Sequence, residues 1–349
     1  MATLLEGTIK AAQVVGGISL NPAITASALA FLAYGPPHLV AKVTELEFIK
    51  RYVRTYGLKV ALRVLLSLGL GRALNRLLNV RASNNWRLLG HAGWRWGEEI
   101  AVITGGCNGI GKATVIGLLR KGVRVAILDV ADLPPDLARF DTVFYWKCDI
   151  TSPDAVNEAA DKIRENLGHP SILINNAGLA NKASILDSSP EKVSKLFGVN
   201  VLSHWYTVKA FLPNMVLGNK GHIVTVASVA SYVALTTAVD YSASKSAALT
   251  FHEGLACEIK NIYKAPGVMT TVVHPMFVNT DMTKSEKETI ERSRGKMLEP
   301  EDISNAILKQ IFSCRGAQLI VPSQMSWVSG VQAFPNWLQE TFRDAVAAM

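Results

Sequence analysis

The sequence has few cysteines and few charged residues for its length. Its four cysteines, among 349 residues, are scattered without the paired spacing of a disulfide framework or a zinc site. Charged residues make up only 18% of the chain and hydrophobic residues 49%, which excludes disorder throughout. His204, His222, His252 and His274 also lack ligand spacing, so we expect them to form local hydrogen bonds and expect no metal site. A reducing environment, the cytosol or the cytosolic side of a membrane, fits these absences.

The net charge of +8 is concentrated near the N-terminus. Residues 41–95 hold eleven lysines and arginines against two glutamates, a net charge of +9, so residues 96–349 are nearly neutral. A nucleic-acid enzyme normally carries basic residues around its working groove, interleaved with aromatic residues. We therefore expect no nucleic-acid partner, and the basic N-terminal segment favours an anionic membrane surface.

Residues 1–95 form an apolar and basic extension that is predicted to be helical and to associate with a membrane. No charged residue lies between Lys10 and His38, but Asn21 and Pro22 make this segment a poor spanning helix. The following run, LKVALRVLLSLGLGRALNRLL, would lie in the membrane interface with its basic side chains reaching the headgroups. The alternative is a pair of helices packed on the body or on a second subunit. The features of a cleaved signal peptide are not clearly present.

From Trp96 onward, short apolar runs alternate with helical patterns. The predicted strands are EIAVITGG, VRVAILDV, TVFYWKCDI, SILINNAG, GHIVTVASVAS, GVMTTVVHP and AQLIVP, and helices are predicted over 153–166, 190–217 and 300–312, among others. This alternation predicts a parallel sheet with helices on both faces. The sequence thus predicts an α/β protein with a doubly wound Rossmann fold and a seven-stranded parallel sheet over residues 96–322. The N-terminal helical apolar extension precedes it, and a helical tail, residues 323–349, follows it.

The turn TGGCNGIG joins the first strand to the first helix. Gly105, Gly109 and Gly111 permit a tight turn and let the backbone approach a pyrophosphate at the helix N-terminus. The spacing differs from the G-x-G-x-x-G fingerprint, and such a turn by itself is also consistent with helix packing alone. Asp129 ends the second strand about twenty residues later, where a carboxylate accepts hydrogen bonds from an adenosine ribose and repels a 2′-phosphate. This favours NAD over NADP, with capping of the strand end as the alternative role for Asp129.

Tyr241 and Lys245, in YSASK, are one helical turn apart, so their side chains project from the same helix face. A fixed cation beside a phenol lowers the pKa of the phenol, and an alcohol must lose its proton as hydride leaves its carbon. Asn176 in NNAG, Asn200 in GVN and Ser228 in VASVAS fall where a ligand at the carboxyl edge of the sheet would meet them. Together these residues indicate an active site around Tyr241.

In this order, the motifs TGGCNGIG, CDI, NNAG, GVN, VASVAS and YSASK resemble those of the short-chain dehydrogenase/reductase family over residues 99–322. The resemblance implies that Tyr241 is the general acid/base, that Lys245 lowers its pKa and binds the nicotinamide ribose, and that Ser228 orients the substrate oxygen. Asn200 is implied to hold its helix and a water that relays protons from Lys245.

The same resemblance implies a set of NAD-binding residues along the carboxyl edge of the sheet. They are Gly105, Asn108, Gly109, Ile110, Gly111, Asp129, Asp149, Ile150, Asn176, Ala177, Gly178, Tyr241, Lys245, Pro275, Val278 and Thr280. Asp149 is expected at the end of the third strand, either against the adenine ring or in an Asx turn. Thr280 is implied to contact the nicotinamide carboxamide.

After the sixth strand the chain reads HPMFVNTDM, where many family members have Pro-Gly. With FVNT, GHIVTVAS and the N-terminal extension, it resembles the membrane- and lipid-droplet-associated branch, which includes 17β-hydroxysteroid dehydrogenase types 11 and 13 and retinol dehydrogenase 10. That resemblance implies attachment to the endoplasmic reticulum or lipid droplets, with the catalytic domain facing the cytosol. Family resemblance also implies a homodimer.

The segments after strands four, five and six, LANKASIL, VASYVALTTAV and MFVNTDM, are apolar around Ser228 and Tyr241, which favours a lipophilic alcohol or ketone. Residues 281–298 are polar and predicted to form a lid, with a surface helix as the alternative. The expected function is NAD-dependent interconversion of an alcohol and its ketone or aldehyde on a steroid, retinoid or fatty alcohol. The alternatives are an NADPH-dependent carbonyl reductase and a lipid-surface scaffold that binds cofactor without turnover.

Overall fold

The computed structural model of the chain describes residues 16–46, 54–87 and 89–347. Contacts within the chain divide it into two units, residues 1–82 and residues 83–349. The first unit contains α1 (Pro22–Tyr34), α2 (Pro37–Thr44) and most of α3 (Arg54–Ser83). Asn21 caps α1 because its side chain accepts a hydrogen bond of 3.0 Å from the backbone N–H of Ala23. N-terminal helices are therefore present, as predicted.

None of the described helices is by itself long and apolar enough to cross a membrane. α1 and α2 reach the necessary length and composition only as a pair, and this pair is bent by 116°.

Seven parallel strands in the second unit form one sheet. They are β1 (Ile100–Thr104), β2 (Arg124–Asp129), β3 (Val143–Lys147), β4 (Ile172–Asn175), β5 (Gly221–Val226), β6 (Val268–Pro275) and β7 (Ala317–Val321). Their order across the sheet is β3-β2-β1-β4-β5-β6-β7. β1, β4 and β5 are buried along their whole length, which explains their continuous apolar runs. The predicted seven-stranded, doubly wound Rossmann fold is confirmed.

Helices cover both faces of this sheet. The helices of the second unit are α4 (Gly109–Leu119), α5 (Pro153–Leu167), α6 (Pro190–Phe197), α7 (Ser203–Leu217), α8 (Val239–Asn261), α9 (Lys287–Arg294), α10 (Pro300–Phe312) and α11 (Asn336–Ala347). Apolar residues of α5, α7 and α8 fill the core on one face, and those of α4 and α10 fill the core on the other. Short 3-10 segments lie at Val229–Ser231, Lys284–Glu286 and Ser323–Ala333.

The predicted continuous helix over residues 190–217 is divided in the structure. A π-helical turn, Gly198–Leu202, separates α6 from α7, and Asn200 lies at its centre. π-helical turns of this kind insert an extra residue into a helix and often occur at functional sites. The hydrophobic pattern of the sequence does not indicate such a turn, because the helix continues through it.

The order of the strands reverses between β1 and β4. Crossovers on the two sides of this point run in opposite directions, so the carboxyl ends of β1 and β4 are left with a crevice between them. In open α/β sheets, ligands bind in that crevice.

Candidate active site

A cavity of about 930 Å³ lies at this carboxyl edge of the sheet. It is lined by Gly105, Asn108, Gly109, Ile110, Asp129, Asp149, Ile150, Asn176, Ala177, Gly178, Ser228, Tyr241, Lys245, Pro275, Val278 and Thr280. Every residue that the sequence assigned to the site is therefore at the cavity surface except Gly111 and Asn200.

The glycine turn is shaped by close backbone packing. Gly105 and Gly109 have φ angles of +67° and +50°, in the left-handed region that favours glycine. A Cβ atom at Gly111 would lie 1.9 Å from the carbonyl oxygen of Gly105, so only glycine fits there. The Asn176 amide ties the turn to the end of β4 by donating to the carbonyl oxygens of Thr104, at 3.0 Å, and Gly105, at 2.9 Å.

The N-terminus of α4 follows this turn and is left open. Asn108 is the N-cap residue, but its side chain makes no capping hydrogen bond, and the first turn contains no acidic residue. The unpaired N–H groups and the positive end of the helix dipole therefore remain available to an anion. This arrangement fits a dinucleotide pyrophosphate.

Asp129 holds the glycine turn while facing the cavity. One carboxylate oxygen accepts a hydrogen bond of 2.9 Å from the Cys107 N–H, and the other accepts one of 3.0 Å from the Ala131 N–H. The capping role that the sequence left open is thus present. Each oxygen can accept a further hydrogen bond, so ribose binding remains compatible with it.

Asp149 lies beyond the end of β3, which stops at Lys147. One of its carboxylate oxygens accepts hydrogen bonds from the Thr151 N–H, at 2.9 Å, and the Thr151 hydroxyl, at 2.8 Å. These two bonds lower the pKa of Asp149. The Asx turn is therefore formed, with Asp149 and Ile150 still at the cavity surface.

Ser228, Tyr241 and Lys245 meet on the opposite side of the cavity. Ser228 follows β5, and its hydroxyl accepts a hydrogen bond of 3.1 Å from the Ala230 N–H. The interaction of the Tyr241 side chain with the Ser228 side chain lowers the pKa of Tyr241. The Lys245 Nζ lies 5.7 Å from the centroid of the Tyr241 ring and donates a 2.9 Å hydrogen bond to the Val226 carbonyl. The structure thus brings the predicted acid/base group, its neighbouring hydroxyl and its neighbouring cation together.

Burial is the largest cause of the pKa shifts of Tyr241 and Lys245. Burial raises the pKa of Tyr241, and the hydrogen bond with Ser228 opposes this only in part. Burial lowers the pKa of Lys245 from 10.5 to about 8. The lowering of the Tyr241 pKa by Lys245 stays a prediction from the sequence.

Asn200 fixes the segment that follows β4. Its Oδ1 accepts a 2.8 Å hydrogen bond from the Leu179 N–H, and its Nδ2 donates 2.9 Å hydrogen bonds to the Leu179 carbonyl and the Ser244 hydroxyl. Ser244 precedes Lys245 on α8. Asn200 therefore clamps the cavity wall to the helix that carries Tyr241 and Lys245.

The far end of the cavity is apolar and is partly built from the C-terminal tail, a contribution that the sequence reading missed. Its lining residues there include Leu235, Met276, Met282, Ile290, Met325, Val328, Phe342 and Val346. Val328 is fully buried against Tyr232 and Val233, which anchors the tail to the body. The spacing of apolar residues along the tail could have indicated that it packs against the body.

The polar segment over residues 281–298 contains α9 and lies beside the cavity mouth. Lys182, from the segment after β4, forms a 3.1 Å ion pair with Glu286 and a 2.8 Å hydrogen bond with Ser285. Both alternatives for this segment, a lid and a surface helix, are compatible with that contact.

His222, His252 and His274 form local hydrogen bonds as predicted, but the prediction is wrong for His204, whose buried Nδ1 has no hydrogen-bond partner among the described residues. His222 contacts the Thr271 hydroxyl at 2.8 Å and His252 contacts the Thr225 hydroxyl at 2.9 Å. Burial lowers the pKa of each of these two histidines to about 3. Within the described residues, no group of three or more His, Cys, Asp or Glu side chains could hold a metal ion.

Comparison with known proteins places this site in a family. The family model for the short chain dehydrogenases matches residues 99–291. The dehydrogenase RED2 of Cochliobolus heterostrophus is 42% identical over 182 residues, which cover 52% of this chain and 68% of RED2. Human estradiol 17-beta-dehydrogenase 11 is 32% identical over 240 residues, which cover 67% of this chain and 78% of that protein.

Among solved structures, a short-chain dehydrogenase/reductase from Burkholderia phymatum in complex with NAD superposes with a TM-score of 0.62. It is 25% identical, and the match covers 69% of this chain and 95% of that one. The family match, the relatives and the cavity at the switch point agree with the motifs that suggested the family. The chain therefore belongs to the short-chain dehydrogenase/reductase family and is an oxidoreductase that acts on a small-molecule substrate.

Proposed function

We propose that this protein is an NAD-dependent dehydrogenase that interconverts a lipophilic alcohol and its ketone or aldehyde. The observation that carries the proposal is that Ser228, Tyr241 and Lys245 share one cavity with the glycine turn and an apolar end. Steroids, retinoids and fatty alcohols are the substrate classes that fit such a site. The similarity to human estradiol 17-beta-dehydrogenase 11 supports a steroid among them.

The residues of the cavity fit a nicotinamide dinucleotide. Gly105 and Gly109 present backbone without a side chain at the cavity surface, and the open N-terminus of α4 suits the pyrophosphate. A side chain at Gly178 would come within 3.4 Å of the Lys245 Nζ, so glycine there keeps this ammonium accessible to ribose hydroxyls. When bound, the oxidised nicotinamide supplies the hydride acceptor and an additional positive charge.

Tyr241 exchanges the proton of the substrate oxygen, and Ser228 orients that oxygen. Because burial raises its pKa, Tyr241 is protonated at neutral pH and is suited to donate its proton to a carbonyl oxygen. To remove a proton from an alcohol, Tyr241 needs the positive charge of Lys245 together with that of the oxidised cofactor. Lys245, with its pKa near 8, is close enough to neutrality to pass protons onward.

Asp129 supports NAD over NADP. A 2′-phosphate beside this carboxylate would be repelled, and the neighbouring lining residues, Val130 and Ala131, carry no compensating positive charge. The NAD bound in the Burkholderia phymatum structure is consistent with this preference.

The N-terminal unit supports attachment to a membrane, which we place at the endoplasmic reticulum or lipid droplets with the catalytic unit on the cytosolic side. α3 exposes large apolar side chains, among them Leu68 at 58% and Leu74 at 56%, and it carries exposed arginines between them. Such a helix suits a membrane interface. We also propose a homodimer that pairs through α7 and α8. On this surface Trp205 is 45% exposed, and the centroid of its ring lies 4.3 Å from that of Phe251.

The test is turnover by the full-length protein in liposomes, with steroid, retinoid and long-chain alcohols and their carbonyl counterparts offered with each cofactor. NADH formation from an apolar alcohol supports the proposal. A preference for NADPH would favour the carbonyl reductase and remove the role assigned to Asp129. Cofactor binding without turnover of any substrate would favour the lipid-surface scaffold.

A further inference from the structure

A buried hydrogen-bond chain reaches Ser228 from the side away from the cavity. His274, on β6, is fully buried. Its Nδ1 lies 3.0 Å from the Ser228 carbonyl oxygen, and its Nε2 lies 3.0 Å from the Tyr232 hydroxyl. The Gln318 amide on β7 in turn donates to that hydroxyl. None of these three side chains has a role in the proposed chemistry.

The chemistry of each group gives this chain one direction. A carbonyl oxygen can only accept, so the His274 Nδ1 must carry the hydrogen. Burial lowers the pKa of His274 to about 4, so the ring is neutral at physiological pH and its Nε2 can only accept. The Tyr232 hydroxyl therefore donates to His274 and accepts from Gln318. Donation runs from Gln318 through Tyr232 and His274 to the Ser228 carbonyl.

The Ser228 carbonyl lies at the start of the short 3-10 turn, Val229–Ser231, that leads toward the catalytic helix α8. It also accepts a 3.0 Å hydrogen bond from the Ser231 N–H. The Ser231 hydroxyl donates to the Lys245 carbonyl at 2.9 Å, and the Ser246 hydroxyl donates to the Ser231 carbonyl at 2.9 Å. The turn is thus tied to α8 on one side and, through His274, to β6 on the other.

We propose that His274, oriented by Tyr232, is a positioning residue that fixes the backbone of Ser228 and so sets the place of its hydroxyl against Tyr241. The inference rests on the proposed function, in which Ser228 orients the substrate oxygen. A hydroxyl displaced by a fraction of an ångström would weaken orientation in the transition state, because rates depend steeply on such placement.

Two substitutions of His274 separate positioning from simple filling of space. In His274→Asn, the amide nitrogen takes the place of Nδ1 and keeps the donation to Ser228. In His274→Gln, the amide takes the place of Nε2 and keeps only the contact with Tyr232. We expect the Asn variant to keep kcat within about threefold of wild type and the Gln variant to lose about tenfold or more, with KM for alcohol and NAD nearly unchanged.

Equal kcat for the two His274 variants, or losses that follow only their melting temperatures, would overturn the inference. Should neither variant fold, Tyr232→Phe decides, because it removes only the hydroxyl that orients the ring. A reduced kcat at unchanged KM in that variant supports positioning, and a wild-type kcat contradicts it.

A wild-type protein without turnover would defeat the proposed function but leave the inference testable. NMR of protein with isotope-labelled histidine reports which ring nitrogen of His274 carries the hydrogen, with His274→Asn used for assignment. A hydrogen on Nδ1 supports the direction of the chain, and a hydrogen on Nε2 contradicts it.

Discussion

At the residue scale, the positive charge of the site is carried by Lys245, a buried side chain whose burial disfavours the charged form. Lys245 is 4% exposed, and its ammonium has one described hydrogen bond, to the Val226 carbonyl. The nearby Tyr241 is held protonated by the same burial. The two residues could be paired from their spacing in the sequence, but their pKa shifts could not, because burial depends on what packs around them.

Replacing Lys245 with Met should stabilise the protein at neutral pH while abolishing turnover. The pKa of Lys245 falls from 10.5 to about 8 on folding. Between these values the unfolded chain binds more protons, so stability rises with pH through this window, and the full cost of burial applies below it. Allowing for the lost hydrogen bond, we expect a gain of about 2 kcal/mol in the free energy of unfolding below pH 8.

Unfolding of Lys245→Met and wild type on both sides of this window provides the measurement. The gain should shrink as the pH rises above the folded pKa of Lys245. Lys192→Met, at an exposed lysine of α6, is the matched control and should change little. A Lys245→Met variant that is less stable than wild type at neutral pH would contradict the account of this residue.

Replacing Asp129 with Asn should narrow the preference for NAD over NADP. The variant removes the charge that opposes a 2′-phosphate but keeps one oxygen to accept a backbone N–H. We expect the ratio of kcat/KM values for the two cofactors to shift toward NADP by about tenfold. Asp132→Asn removes a charge three residues further on, at a side chain that is 90% exposed, and serves as the control. An unchanged ratio of the kcat/KM values for NAD and NADP in Asp129→Asn would contradict the cofactor assignment.

At the scale of elements, much of the architecture was predictable and several site details were not. The seven strands and the helix over residues 300–312 follow from hydrophobic periodicity, which burial in this fold imposes directly. The π-helical turn at Asn200, the cavity wall formed by Phe342 and the His274 chain depend on contacts between distant segments. No local pattern contains those contacts.

The glycine turn and the start of α4 form one packed element, so Gly111→Ala should damage cofactor binding. The added Cβ would lie 1.9 Å from the Gly105 carbonyl oxygen and 2.6 Å from the Asn176 Nδ2, so the backbone must move. We expect NAD affinity to fall at least about tenfold and the free energy of unfolding to fall by roughly 3 kcal/mol.

Gly71→Ala is the matched control for this change. A Cβ at Gly71, in α3, would have nothing within 4 Å, so alanine causes no clash there and should leave NAD affinity unchanged. Alanine also has a better helix propensity than glycine. Calorimetric titration with NAD compares the two variants. Wild-type NAD affinity in Gly111→Ala would show that the turn does not hold the cofactor.

At the scale of the whole molecule, charge is segregated between a basic N-terminal unit and a nearly neutral catalytic one. A basic surface on a helix with exposed apolar side chains attracts anionic lipid, at about 1 kcal/mol for each Lys or Arg near the membrane surface. The apolar end of the catalytic cavity suits substrates that dissolve in that same membrane.

Neutralising three exposed arginines of α3, Arg63, Arg72 and Arg76, to Gln should weaken binding to anionic vesicles by about a hundredfold. Neutralising three exposed arginines of the catalytic unit, Arg120, Arg139 and Arg292, provides a control with the same change in net charge. Vesicle sedimentation measures both. Equal losses for the two triple variants would mean that net charge, and not α3, directs the protein to the membrane.

The central claim, hydride transfer coupled to proton exchange at Tyr241, is tested most directly by NADH formation from an apolar alcohol in wild type and Tyr241→Phe. Phenylalanine keeps the aromatic ring beside the Lys245 ammonium and removes only the hydroxyl. We expect kcat to fall by at least about a hundredfold while NADH binding, followed by fluorescence, is retained. Turnover by Tyr241→Phe at the wild-type rate would contradict the account.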